Sequence, residues 1–415
     1  MSRLLHTVLL LFLPFALHAE AQSDSLDLSV LPSCARPDLS EIVFPGERAA
    51  FDRLYAKLDS VRASQRCAVN VWHVGGSHVQ GAILPNRIME NLNDEMLGHH
   101  GDRGVLFPRA LAKTNRDKSY GMNTTGEWDA PMLTKASAAP KPRYGVSGFA
   151  ARTADTTASV SLSLGEMWQF NRLRVLGYGS SPEAYPYVLS GSDTLRFNYD
   201  EAGRSYVFGM KGFVDSVDVR FNIPEGESFV LTGLHPTGGR SGINYFSSGV
   251  NGAAVTSWVD QCADLQNELY IVNPDLVIFG LGINDSACTA KRFSPEKFKG
   301  NYRRLMSMIR KVNPSCAFVF LTNNDSYRYV RRGMAYNEKA PAVRKAMMEL
   351  AAESGGCVWD LFGVMGGSHT VLKWRDAGLI KADKLHFTEE GYTLVADMFC
   401  KALLEDYRNS KESTK

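Results

Sequence analysis

Two hydrophobic patterns occupy this 415-residue chain, and one interrupts the other. The first belongs to a buried parallel sheet. Leu276 to Leu281 is a continuous apolar run, LVIFGL, of the kind covered on both faces by helices. Cys67 to Val74, Ala317 to Thr322 and Cys357 to Phe362 read as strands of the same sheet. Between them lie helical stretches. Ile83, Ile88, Leu92 and Met96 recur at near-helical spacing, and further helices are expected near 258–272, 297–312, 340–354 and 389–406. Strands alternating with helices imply a doubly wound α/β sandwich, preceded by a polar leader.

The second pattern fills the middle. From about 111 to 240 helical periodicity gives way to short alternating runs: SVSLSL, LRVLGYG, YVLSGS, LRFNY, SVDVRFNI and SFVLTGL. Strands so closely spaced between turn residues predict an antiparallel β-sandwich set inside the α/β domain. The expected organisation is a leader over 1–21, α/β segments over 22–110 and 241–415, and the β insert over 111–240.

The first residues match a secretory signal peptide. Arg3 supplies the positive start, Leu4 to Leu17 the apolar stretch, and Ala19-Glu20-Ala21 a small-x-small cleavage site. That apolar stretch falls short of the roughly 20 residues a membrane span needs, and no later segment approaches it. An exported protein without stable membrane insertion is expected. A formal net charge of +2 and no long run of one sign give no reason to expect nucleic acid as a partner. Seven cysteines, at 34, 67, 262, 288, 316, 357 and 400, show neither CxxC pairs nor Cys/His ligand spacing, and Cys316, Cys357 and Cys400 sit in apolar runs.

Four short segments carry chemistry. Val74-Gly75-Gly76-Ser77-His78 lies where a strand ends and a helix begins, a turn that presents the Ser77 hydroxyl and offers helix-start N–H groups to an oxyanion. Alone, it reads more readily as an ordinary N-cap serine on a glycine turn, because short motifs match by chance. Phe279 to Asp285 follows a buried strand, so Asn284 points into the same crevice with an amide able to donate without charge. Asp383-Lys384-Leu385-His386 places a carboxylate three residues before an imidazole, able to hold its tautomer and leave Nε2 free as a base. Ser247 to Ala253 brings Gly252, a turn glycine, to the point of re-entry from the insert. His73 and His78 lack an HExxH arrangement and read as packing or loop-shaping residues. Trp168, Phe170, Tyr185 and Tyr187 in the insert are candidates for stacking on sugar rings, although such aromatics more often fill a sandwich core.

Taken together and in this order, the segments resemble the SGNH (GDSL-like) hydrolase superfamily, whose blocks run Ser, Gly, Asn, His. Here they look like GGSH with Ser77, GVNGA with Gly252, GIND with Asn284, and DKLH with Asp383 and His386. The resemblance implies a three-layer, flavodoxin-like α/β/α hydrolase domain and a Ser77–His386–Asp383 triad. It implies an oxyanion hole of the Ser77 and Gly252 N–H groups and the Asn284 amide, with no metal or organic cofactor. One position departs: the family usually has Asp immediately before the serine, and this chain has Gly76.

A narrower likeness is to peptidoglycan and polysaccharide O-acetylesterases of the superfamily, which carry a β-sandwich resembling a carbohydrate-binding module at this point. Ser77 and Gly252 stand 175 residues apart, far more than one crossover requires. The stretches Gly101-Asp102-Arg103-Gly104, and Val358-Trp359-Asp360 through Met365-Gly366-Gly367 and Trp374, are similar to theirs. The expectation is an exported serine esterase acting on O-acetyl esters of a glycan. The alternatives are an O-acetyltransferase of the same fold, a lipase or thioesterase, and a non-catalytic glycan-binding protein, for which Gly76 is the sequence hint.

Overall fold

The computed structural model describes residues 26–64, 67–137, 140–287 and 293–412. The expected leader over 1–21 and Cys288 lie outside the described residues.

A six-stranded sheet carries the fold. Its strands run in the order Ile42–Val43, Cys357–Trp359, Ala317–Leu321, Leu276–Gly280, Ala68–Gly75 and Gly242–Gly249. All pairs are parallel except the short first one. The inner strands are apolar along their whole length because both faces are covered. On one face Phe51, Leu54, Ile88, Leu92, Phe399 and Leu403 pack from the helices Ala49–Ser64, Ile83–Met96 and Glu389–Glu412. On the other, Trp258, Leu269, Tyr302, Leu305, Met347 and Leu350 pack from four helices, Val255–Gln261, Leu265–Val272, Pro295–Val312 and Ala340–Ser354. Three layers result.

Three details differ from the sequence reading. The polar leader contains the helix Ala49–Ser64, whose Phe51, Leu54, Tyr55, Leu58 and Val61 form a buried stripe. The helix expected over 258–272 is two, broken around Cys262–Asp264, where the Asp264 N–H donates to Tyr144 O and its carboxylate pairs with Arg143 at 3.1 Å. Contacts with the inserted segment thus interrupt it. Gly242–Gly249 is a further parallel strand beside Ala68–Gly75, one the sequence reading does not mark.

Within the insert, two five-stranded antiparallel sheets face each other. Val160, Leu162, Val188, Val219 and Phe221 from one interlock with Leu173, Val175, Phe208, Phe229 and Leu231 from the other. Phe170 belongs to this core, Tyr185 packs on Phe197, and Trp168 lies beneath the Arg103 guanidinium. The chain returns to the parallel sheet through a loop held by Asp102, whose carboxylate accepts the N–H groups of Gly238, Gly239 and Arg240 at 3.0, 2.9 and 3.3 Å. Gly101 and Gly104 flank it where a β-carbon would press on the backbone of Ile243 and Phe246. A second tie is Glu268, buried between the layers, which accepts Val146 N–H at 2.6 Å and Thr232 Oγ1–H at 2.7 Å.

Candidate active site

Three strands end level with one another. In register, Gly75 stands opposite both Gly249 and Gly280. Ser77 follows the first by two residues, Gly252 the second by three and Asn284 the third by four, so all three cluster at the carboxyl edge of the sheet. Glycine is required at two of these strand ends because the short helix Ser77–Gln80 crosses over them. A β-carbon on Gly75 would overlap the Val79 side chain, and one on Gly249 would overlap the backbone of Gln80.

From the other end of the chain comes His386. Its Nε2 stands 2.7 Å from Ser77 Oγ, and its Nδ1 stands 2.7 Å from Asp383 Oδ2. The loop bearing it is folded by Asp383 itself, whose Oδ1 accepts the N–H groups of Leu385 and His386, both at 3.0 Å. That tight return forces Lys384 into the left-handed region, φ 56°. Burial alone would raise the Asp383 carboxyl, but the His386 ring and those backbone donors hold it below the ordinary carboxylate range. An ionised Asp383 fixes the proton on Nδ1, leaving Nε2 to accept from Ser77. The loop is pinned from outside by Tyr327 N–H to Lys384 O and by the Asn324 amide to Leu385 O, at 2.8 and 2.9 Å.

Asn284 occupies the first turn of a short helix, Ile283–Ser286. Its Nδ2 donates to Ala253 O at 3.0 Å, which ties it to the loop holding Gly252. The neighbouring Asp285 accepts Val255 N–H at 3.1 Å, at the start of the helix Val255–Gln261. Burial raises the Asp285 carboxyl to about 6. Gly252 is exposed and left-handed, φ 80°, as a turn glycine permits. Among the described residues neither its N–H nor that of Ser77 is taken by a protein acceptor. Both remain available to a ligand oxygen.

Gln80 was not legible as a site residue. Its Oε1 accepts Asn251 N–H at 2.5 Å and its Nε2 donates to Thr114 Oγ1 at 2.6 Å, while Thr134 Oγ1 donates to Asn251 O at 2.8 Å. Together these polar groups hold the Gly252 turn. His73 and His78 sit behind the site, paired through Nδ1 with Tyr245 and Tyr392 hydroxyls at 2.8 Å each. Burial lowers both to about 3, helped at His78 by His386, so both are neutral at ordinary pH. The side chains of Asp383 and His386 are each 25% exposed, so the cluster around Ser77 opens to solvent.

The architecture is a three-layer α/β domain with a grafted β-sandwich, and Ser77 stands at the carboxyl edge of its parallel sheet. Residues 224–394 match the model of the GDSL-like lipase/acylhydrolase family. That span holds Gly252, Asn284, Asp383 and His386, while Ser77 lies on the far side of the insert. A solved peptidoglycan O-acetylesterase is similar to the chain over 89% of this chain and 99% of its own, with a TM-score of 0.71 at 19% identity. An acetylxylan esterase from Geobacillus stearothermophilus aligns with 39% of this chain and 73% of its own, with a TM-score of 0.31 at 16% identity. A family 3 carbohydrate esterase from Talaromyces cellulolyticus aligns with 40% and 72%, with a TM-score of 0.29 at 16% identity. No curated protein matches the chain. The chain thus resembles the GDSL-like acylhydrolases over 224–394 and shares the overall fold of an O-acetylesterase.

Proposed function

We propose that the protein is an exported serine esterase that removes O-acetyl groups from a glycan, with Ser77, His386 and Asp383 as its triad. The observation that carries this reading is the unbroken relay from Ser77 Oγ through His386 to Asp383, both links at 2.7 Å. His386 Nε2 takes the hydroxyl proton as Oγ attacks the acetyl carbonyl. The carbonyl oxygen becomes an oxyanion that accepts from the N–H groups of Ser77 and Gly252 and from Asn284 Nδ2. One such donor is typically worth about 3–4 kcal/mol of barrier. Collapse of the tetrahedral intermediate breaks the bond to the sugar oxygen, which leaves with the proton from His386. A water, deprotonated by His386, then cleaves the acetyl-enzyme to acetate and free Ser77.

The half-open triad and the β-sandwich beside it support a polymeric substrate, and the solved peptidoglycan O-acetylesterase shares this architecture. Export rests on the Arg3 to Ala21 segment. No helix among the described residues is long and apolar enough to cross a membrane. The test is acetate release from acetylated glycans beside a series of aryl esters of rising acyl length, with and without an added glycan acceptor. Turnover of acetyl esters, falling with chain length and giving acetate rather than an acetylated acceptor, is the expected result. Preference for long chains, or dominant transfer to the acceptor, would replace this function with another.

A further inference from the structure

Beside the Gly252 turn the insert's first segment bounds a cleft of about 320 Å³, with Arg109, Arg116 and Lys118 on its walls and Tyr120 and Met122 among its lining residues. Its charges do not balance. The one carboxylate in the wall, Asp117, is already engaged. It accepts from Asn86 Nδ2 at 3.1 Å and from Ser119 N–H and Oγ–H at 3.0 and 2.6 Å, and it faces Arg103 at 3.9 Å. Arg103, Arg109 and Asp117 are each less than a tenth exposed, so two guanidinium groups are buried against one carboxylate.

Arg109 shares the charge of Asp117 with Arg103, which leaves one buried cation in excess. Its Nη1 donates to Gln80 O at 2.7 Å, a neutral carbonyl, and among the described residues no carboxylate lies within ion-pair distance of it. A buried excess of positive charge is costly, and such a cost persists where a ligand supplies a second anion. Arg116 and Lys118, both exposed, add two more cations at the mouth with no acidic side chain paired to them. On their own they would be an ordinary solvated face. It is the buried Arg109 behind them that gives the cleft a direction.

The cleft also has a position relative to the proposed reaction. Thr114, between Arg109 and Arg116 in the chain, accepts from Gln80 Nε2 at 2.6 Å and from Asn251 Nδ2 at 3.3 Å. The cationic segment therefore abuts both the Ser77 helix and the turn bearing Gly252. We infer that this cleft is a subsite for a carboxylate carried by the glycan, so that the enzyme prefers acetylated glycans with acidic sugars over neutral ones. Arg109 would form the deep contact, a fork of N–H donors matched to a carboxylate, with Arg116 and Lys118 at the rim and the Tyr120 side available to a sugar ring. This inference rests on the esterase reading for its substrate, and not for its binding chemistry.

The experiment has two arms. In the first, kcat/KM is compared on acetylated polygalacturonate, acetylated muramic-acid oligosaccharides and neutral acetylated xylan. These place the carboxylate on the sugar ring, on a lactyl ether, or nowhere. At least one acidic substrate is expected to exceed xylan by about tenfold, the advantage shrinking with salt and collapsing towards unity in the Arg116→Gln/Lys118→Gln double variant, mainly through KM. Which acidic substrate wins identifies the source of the carboxylate. Equal rates on all three, or an advantage untouched by the double variant, overturn the proposal. In the second arm, calorimetry measures non-acetylated forms of the same oligosaccharides binding to the Ser77→Ala protein. Salt-sensitive binding of the acidic oligosaccharides alone supports the subsite even if the parent releases no acetate, an outcome that would remove the esterase reading and leave the cleft. Binding that ignores the carboxylate refutes the subsite whatever the enzyme hydrolyses.

Discussion

A β-carbon on Gly76 would stand 2.9 Å from the side-chain nitrogen of Asn284. The residue before the serine and the proposed oxyanion amide thus share one small space, and Asn284 fills it while its Nδ2 donates to Ala253 O. The space that a side chain before the serine would need is occupied here by the Asn284 amide. Gly76→Ala is expected to push Asn284 aside and lower kcat by roughly tenfold to a hundredfold with little change in KM, since an oxyanion donor acts in the transition state. Gly76→Asp meets the same obstacle and should not raise activity. Steady-state kinetics on an aryl acetate decides it, and an unchanged or improved Gly76→Asp enzyme would show that the amide yields freely.

Removing the amide itself gives the scale. Asn284→Ala should reduce kcat by about 10²–10³ while the protein stays folded. Circular dichroism alongside the rate separates a lost donor from a lost fold. A loss below about threefold would mean that the two N–H groups suffice without it.

Lys384 is held at φ 56° by the turn that lets Asp383 reach the His386 ring. Lys384→Gly should keep full activity, because glycine adopts this conformation without strain. Lys384→Val, β-branched, should cost about 1–2 kcal/mol and lower kcat as the loop rearranges. Thermal melts and rates on the pair test the turn. Equal behaviour of the two variants would show that the left-handed residue is not needed to build the site.

Glu268 links the parallel-sheet domain to the insert, and burial raises its carboxyl from 4.5 to about 7. Between those values the folded state binds more protons than the unfolded chain. Its contribution to stability is therefore full below about 4.5 and is lost as pH rises through about 7. Glu268→Gln keeps an acceptor for Val146 N–H and can donate to Thr232 Oγ1 without charging. The parent's Tm should fall, relative to that of Glu268→Gln, between pH 5 and pH 8. Parallel Tm curves would mean that the carboxyl titrates normally.

Much of this was legible from the residues. Leu276–Gly280 and Ala317–Leu321 declare themselves because a strand covered on both faces carries no polar alternation. Ser77, Asn284, Asp383 and His386 were marked by glycines at strand ends and by the Asp-x-x-His spacing, both local properties. The helix Ala49–Ser64 was equally readable, its buried residues falling at helical spacing, but the charged residues between them hid the stripe. Gly242–Gly249 was not, since GINYFSSG mixes polar and apolar residues and becomes a strand through its pairing with Ala68–Gly75. Gln80 and the Gly76–Asn284 contact depend on residues more than 170 positions apart meeting in space. No local pattern records such a meeting. The excess of buried positive charge around Asp117 is hidden for the same reason.

The central claim is that Ser77 attacks the ester with His386 as its base. Rapid quenching during turnover of an aryl acetate, followed by peptide mass mapping, tests it most directly. The account predicts a single acetyl group on the peptide bearing Ser77, formed far more slowly in His386→Ala and absent from Ser77→Ala, whose kcat falls by about 10⁴–10⁶. Sustained turnover by Ser77→Ala, or an acetyl group on another residue, would contradict it.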